Sequence, residues 1–152
     1  MQSTILKNLH PLLRIAWEAS GRNVKPASEE DISQLLAAHP DTPEDYLNII
    51  REYEYLFFDT QPKNDYFSLY LHSPQDVLAW KTWYPWLDSN LPGTFFFGMD
   101  GDISFFLGEH AGRYGVYRVE TSAGDWEAAV YLAPSIRALL CDGTGWAQGE
   151  QL

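Results

Sequence analysis

A single cysteine, Cys141, occurs in the 152 residues, so the chain forms no internal disulfide and its stability must come from a packed core. Positive charge is also scarce: Lys and Arg number 10 against 21 Asp and Glu, for a net charge of −11. Those ten are scattered, whereas a grip on phosphate backbones demands clusters, so neither nucleic acid nor an anionic membrane is an expected partner. Long apolar runs are missing, and no stretch is suited to spanning a bilayer. The opening Met1-Gln2-Ser3-Thr4-Ile5-Leu6-Lys7 lacks the basic head, apolar stretch and small-residue cleavage site of a signal peptide, so the expected location is cytoplasmic. The four histidines, His10, His39, His72 and His110, have no paired-ligand spacing, and neither a metal nor a cofactor is expected. No repeat or low-complexity tract is present, which leaves one domain as the simplest organisation.

What the chain does have is aromatic residues, 15% of the total with six Trp. They concentrate in Phe95-Phe96-Phe97-Gly98-Met99-Asp100-Gly101-Asp102-Ile103-Ser104-Phe105-Phe106-Leu107, two apolar runs flanking an Asp-Gly pair. That pattern predicts a tight β-hairpin. A two-residue loop at Asp100-Gly101 would set Met99 opposite Asp102 and Phe96 opposite Phe105. Phe96, Ile103, Phe105 and Leu107 would then share a core face. Phe95, Phe97, Met99 and Phe106 would share a mixed face with Ser104 and Asp102, meeting a loop, a helix edge or a partner. A longer loop would slip the register and exchange the faces.

Around the hairpin, apolar residues from Ile5 to Trp17 recur at helical spacing, with Pro11 starting or kinking the helix and Gly21 stopping it. Ser28 with Asp31 opens a second helix, and Thr42-Pro43-Glu44-Asp45 a third with Thr42 as its cap. Residues 55–59 and 66–71 read as strands joined by the turn-rich 61–65. Ser73-Pro74-Gln75-Asp76 starts a helix that Pro85 breaks. Gly108 to Gly115 reads as a loop, residues 115–119 and 128–133 as strands, and Pro134 opens a short final helix. The expected fold is α+β, a single domain with an antiparallel sheet of about six strands and helices packed mainly on one side.

The order of these features from about residue 28 to 141 resembles the SMI1/KNR4 family of the SUKH superfamily. The resemblance rests on Ile32 to Leu36 followed by Pro43-Glu44-Asp45-Tyr46, on the glycine-and-acid hairpin Phe97 to Leu107, on Val116-Tyr117-Arg118-Val119, and on Ala133-Pro134-Ser135-Ile136. Residues 1–27 would then be a helical N-terminal extension and 144–152 a loose tail. One departure is that Arg51 to Tyr55 lacks the asparagine-glycine turn typical of the family. The resemblance implies a domain that binds instead of catalysing: bacterial members are regarded as immunity proteins that block a cognate toxin, and fungal relatives as regulatory interaction proteins.

The residues agree with a non-enzymatic role. Cys141 in a short apolar helix reads as an inert thiol. Asp100 and Asp102 on one turn supply too few oxygens for calcium, and no nucleophile–base pair stands out. Trp80, Trp83 and Tyr84 share a helical face, which core packing accounts for, yet Trp83, Tyr84, Pro85 and Trp86 crowd a helix end beside Asp88 as an interface anchor would. From Glu29 to Asp59 nine acids face one base, Arg51, a solvated helix face or a docking surface. The candidate partner-binding residues are Asp59, Asp65, Trp83, Trp86, Asp88, Asp100, Asp102 and Glu109. The expected partner is a protein, a basic toxin domain such as a nuclease. The alternatives are a carbohydrate- or cell-wall-binding module and a regulatory scaffold.

Overall fold

The computed structural model describes residues 3–21, 23–60 and 67–147. Among the described residues, seven strands form one sheet whose spatial order repeats the chain order. They are β1 (Leu13–Ile15), β2 (Leu56–Thr60), β3 (Ser68–Leu71), β4 (Phe95–Asp100), β5 (Ile103–His110), β6 (Arg113–Glu120) and β7 (Val130–Ala133). Every neighbouring pair is antiparallel and the sheet is curled. The helices among the described residues are α1 (Thr4–Lys7), α2 (Trp17–Ser20), α3 (Glu29–Ala38), α4 (Glu44–Ile50), α5 (Pro74–Trp83), α6 (Pro85–Asn90) and α7 (Ile136–Cys141). None is long and apolar enough to cross a membrane.

The strand beyond the expected six is β1, which interrupts the predicted N-terminal helix and leaves only α1 and α2 of it, the latter ending at Gly21 as expected. Pro11 carries no amide donor, so the helix stops at Lys7. The next residues then alternate: Leu13 enters the core, Arg14 lies across from Asp59, and Ile15 packs against the core. The expected helical extension is therefore two short helices on either side of a strand that joins the sheet. Within the predicted loose tail, the described residues 144–147 are packed against the fold. Trp146 is buried, stacks on Phe67 at 5.2 Å and donates its indole N–H to Leu139 O at 2.7 Å.

Serines cap α1, α3, α5 and α7 (Ser3, Ser28, Ser73 and Ser135), two of them at the starts read from the sequence. Ser28 Oγ accepts from the Asp31 amide at 3.0 Å, and Ser73 Oγ from the Asp76 amide at 3.2 Å. Thr42 departs from its expected role. Its hydroxyl turns back to His39 O at 2.6 Å, closing the preceding helix, and Pro43 occupies the cap position of α4 without a side-chain bond. Pro85 ends α5 and opens α6, with the chain bent at Tyr84.

The central hairpin forms one residue out of the expected register. Asp100 pairs with Ile103, so the loop is Gly101-Asp102 and Met99 faces Ser104. Gly101 has φ +58° and Asp102 a negative φ, the sign pattern of a II′ turn, which spares the aspartate the left-handed conformation. A bulge between Phe96 and Gly98 then adds a residue to β4. The faces sort accordingly. Phe95, Phe97, Phe105 and Leu107 join the main core with Ile5, Leu35, Tyr46, Ile49, Ile50 and Leu139, beneath α1, α3, α4 and α7. Phe96, placed on that face by the expected register, lies on the opposite one. There it joins Phe106, Tyr117, Val119, Trp80, Leu87 and Leu91 in a second cluster. The mixed face is thus covered by α5 and α6, whose rings build the site described next. The predicted loop from Gly108 to Gly115 is a further hairpin: β5 runs to His110, and Ala111-Gly112 turns the chain with φ +52° and +79°.

Candidate functional site

The bend between α5 and α6 sets three rings side by side. Trp80 and Tyr84 meet edge to face at 4.9 Å, and Tyr84 and Trp86 at 5.6 Å. Hydrogen bonds anchor two of the rings to the sheet. Trp80 Nε1 donates to Ser104 Oγ at 3.2 Å, Ser104 Oγ shares a 2.5 Å bond with Thr121 Oγ1, and Trp86 Nε1 donates to Thr121 O at 2.7 Å. Both indole donors are therefore turned inward; Trp80 is buried, and what Tyr84 and Trp86 offer outward is π surface.

These rings form one wall of a cleft of about 700 Å³. The facing wall is the tip of the central hairpin and the end of β6: Met99, Asp102, Ile103, Glu120, Thr121 and Ser122. The register Ile103↔Glu120 and the amide of Thr121 bonded to Asp102 O at 2.8 Å bring Asp102 and Glu120 to the same rim. Both are exposed, and neither takes part in the described ion pairs.

Of the sequence-predicted residues, Trp86 and Asp102 line this cleft, and Asp100 sits exposed at the same hairpin tip. Trp83, 56% exposed, stands beside Trp80 with its ring 6.0 Å away. Asp88 lies on α6 and pairs with Lys81 at 3.7 Å. Glu109 is exposed at the opposite end of β5, about 23 Å from Asp102 at the usual strand rise. It pairs across the sheet with Tyr114, which borders a hollow of about 200 Å³ with Glu44 and Asp45. Asp59 is not at the surface: it is buried, with Arg14 Nη2 donating to its Oδ2 at 3.2 Å and Arg14 Nε in ionic contact with its Oδ1 at 2.8 Å. Asp65 and the loop around it lie outside the described residues.

Much of the acidic run between Glu29 and Asp59 is occupied in holding the fold. Asp45 accepts from the Arg137 amide at 3.0 Å, Glu52 from the Ser3 amide at 2.6 Å, and Glu44 pairs with Arg51 at 3.0 Å. Missing from the predicted set are Trp80, Tyr84, Met99, Ile103, Glu120, Thr121 and Ser122, with Gly101 at the turn. The strand read over 115–119 stops one residue short of Glu120, and only the pairing register brings that residue beside Asp102.

Behind the aromatic wall sits His72, buried against Trp80 with ring centroids 4.3 Å apart. Its backbone carbonyl accepts from the Tyr46 hydroxyl at 2.6 Å, while Nε2 has no partner among the described residues. Burial lowers its pKa to about 4, so the imidazole is neutral at physiological pH. Cys141 is half-buried, and burial foremost raises its thiol pKa, which disfavours the reactive thiolate. No group of three or more His, Cys, Asp or Glu among the described residues is arranged to hold a metal ion. Chemically, the cleft is suited to holding a group that favours π faces and carboxylates. Compared with known proteins, the chain matches no family model and no curated protein.

Proposed function

We propose that this chain is a non-enzymatic binding protein of the SMI1/KNR4 kind, an immunity protein that captures a basic toxin domain, such as a nuclease, and occludes its working surface. The observation that carries the reading is the aromatic cleft rimmed by Asp102 and Glu120, set on a molecule of net charge −11. Aromatic rings bury large area with few rotors, and acids around them steer a basic partner into place. Trp83 and Asp100 extend the same surface beyond the cleft.

The test is co-expression with a toxin domain encoded beside the gene. Growth should be restored by the wild-type chain, and restored less by a variant carrying Asp100→Asn, Asp102→Asn and Glu120→Gln. A neighbourhood without a toxin gene, together with no rescue, would move the reading to a regulatory scaffold. A carbohydrate-binding role is favoured by one feature, the exposed rings of Trp83 and Trp86 at 56% and 39%. Titrating Trp fluorescence with cell-wall polysaccharides tests it, and silence at millimolar ligand removes it.

A further inference from the structure

We infer that the cleft between the α5–α6 bend and the central hairpin is a socket for the guanidinium of an arginine side chain presented by the partner protein. This rests on the reading of the chain as a binder of a basic protein. The cleft offers three kinds of surface: the π faces of Tyr84 and Trp86 beside the buried Trp80, the thioether of Met99, and the carboxylates of Asp102 and Glu120. Its indole donors and the nearby Lys81 are already committed, and the hydroxyls of Tyr84 and Ser122 in its lining can accept as well as donate. The two indole N–H groups bond to Ser104 and Thr121, and Lys81 Nζ donates to Thr94 O at 2.9 Å and pairs with Asp88. Arg118, on the same face of β6 as Glu120, borders a neighbouring hollow that Glu120 and Ile103 also line, so Asp102 is the carboxylate that belongs to the cleft alone. An anion would find carboxylates at the rim. An organic cation finds acceptors and ring faces together.

Guanidinium suits that combination better than ammonium. It is flat and weakly hydrated, so it can stack on an indole or phenol face while its in-plane N–H groups reach carboxylates. An ammonium is compact and strongly hydrated, and loses more on leaving water. A volume of about 700 Å³ accommodates the side chain together with the backbone that carries it.

The experiment needs no toxin. N-acetyl-argininamide is titrated into the full chain, following the indole N–H resonances of Trp80 and Trp86, beside N-acetyl-lysinamide and the uncharged N-acetyl-citrullinamide. The arginine probe is expected to bind at millimolar concentration and shift the Trp86 resonance. The citrulline probe should bind roughly tenfold more weakly, the difference made by one charge at ring faces and carboxylates. Asp102→Asn with Glu120→Gln, both isosteric and exposed, should weaken the arginine probe by a similar factor, while Glu109→Gln leaves it unchanged. Equal affinity for arginine and citrulline overturns the proposal, as does lysine binding as tightly as arginine, or shifts confined to other tryptophans. If the probe fails while co-expression rescues growth, the socket alone is wrong. If the probe binds and no rescue or partner is found, the immunity reading is wrong and the socket stands.

Discussion

His72 carries the clearest consequence of any single side chain. The folded protein holds the ring neutral against Trp80, with its pKa lowered to about 4 by burial, while the unfolded chain protonates near 6.5. Acid therefore favours the unfolded state. The contribution of this group is complete above pH 6.5 and is lost progressively as pH falls from there towards 4, by up to about 3 kcal/mol. His39 shifts in the same direction, through its own burial first and the nearby charge of Lys81 second. Urea unfolding at pH 7 and pH 4.5 should show a smaller loss in a His72→Leu variant than in the wild type. An identical loss in both would mean that the ring is solvated in the folded state.

Among the elements, the two hairpins differ in how well their residues suit their turns. The Gly101-Asp102 turn assigns positive φ to glycine, but the Ala111-Gly112 turn assigns φ +52° to an alanine. An L-residue with a Cβ loses about 1 kcal/mol in that region, and asparagine tolerates it better. Ala111→Asn should therefore raise stability by about 0.5–1 kcal/mol in thermal or denaturant unfolding. Gly98 should behave in the opposite way. A Cβ there would meet Leu69 Cδ1 at 2.5 Å and Tyr70 O at 2.9 Å, so Gly98→Ala at the bulge should cost about 1–3 kcal/mol. The same contrast explains what could be read from the chain beforehand. Ser28, Ser73 and Pro85 act on neighbours within four residues, and the helix boundaries they set were legible. β1 has only three residues, too few for period two to stand out from the helical spacing around it. The bulge at Phe97 leaves no local signature, because alternating phenylalanines look alike in either register.

Over the whole molecule, the excess of acid sets how a partner arrives. Exposed carboxylates at the hairpin tip act over about 10 Å at 0.1 M salt and about 3 Å at 1 M. Association with a basic partner should slow and weaken as salt rises across that range, measured by surface-based kinetics or calorimetry. An affinity indifferent to salt would remove electrostatic steering and leave occlusion by the aromatic wall. The candidate surface was half legible in the sequence. Trp86 and Asp102 were identifiable from ring clustering and turn chemistry, whereas Glu120 and Thr121 join them only through the pairing of β5 with β6. Asp59 looked like a surface acid until the N-terminal strand supplied Arg14 to cover it.

Because each strand's sheet neighbours are also its neighbours along the chain, the two halves of the sheet are closed at different distances. The ribbon from Phe95 to Ala133 returns through short connections, while Leu13–Ile15 meets its partner only after α2, α3 and α4 have intervened. Short closures cost less chain entropy than long ones, so the ribbon can zip from its turns before the N-terminal border docks. Amide hydrogen exchange should accordingly find the slowest protons in β5 and β6, and find β1 opening by itself while the remainder stays closed.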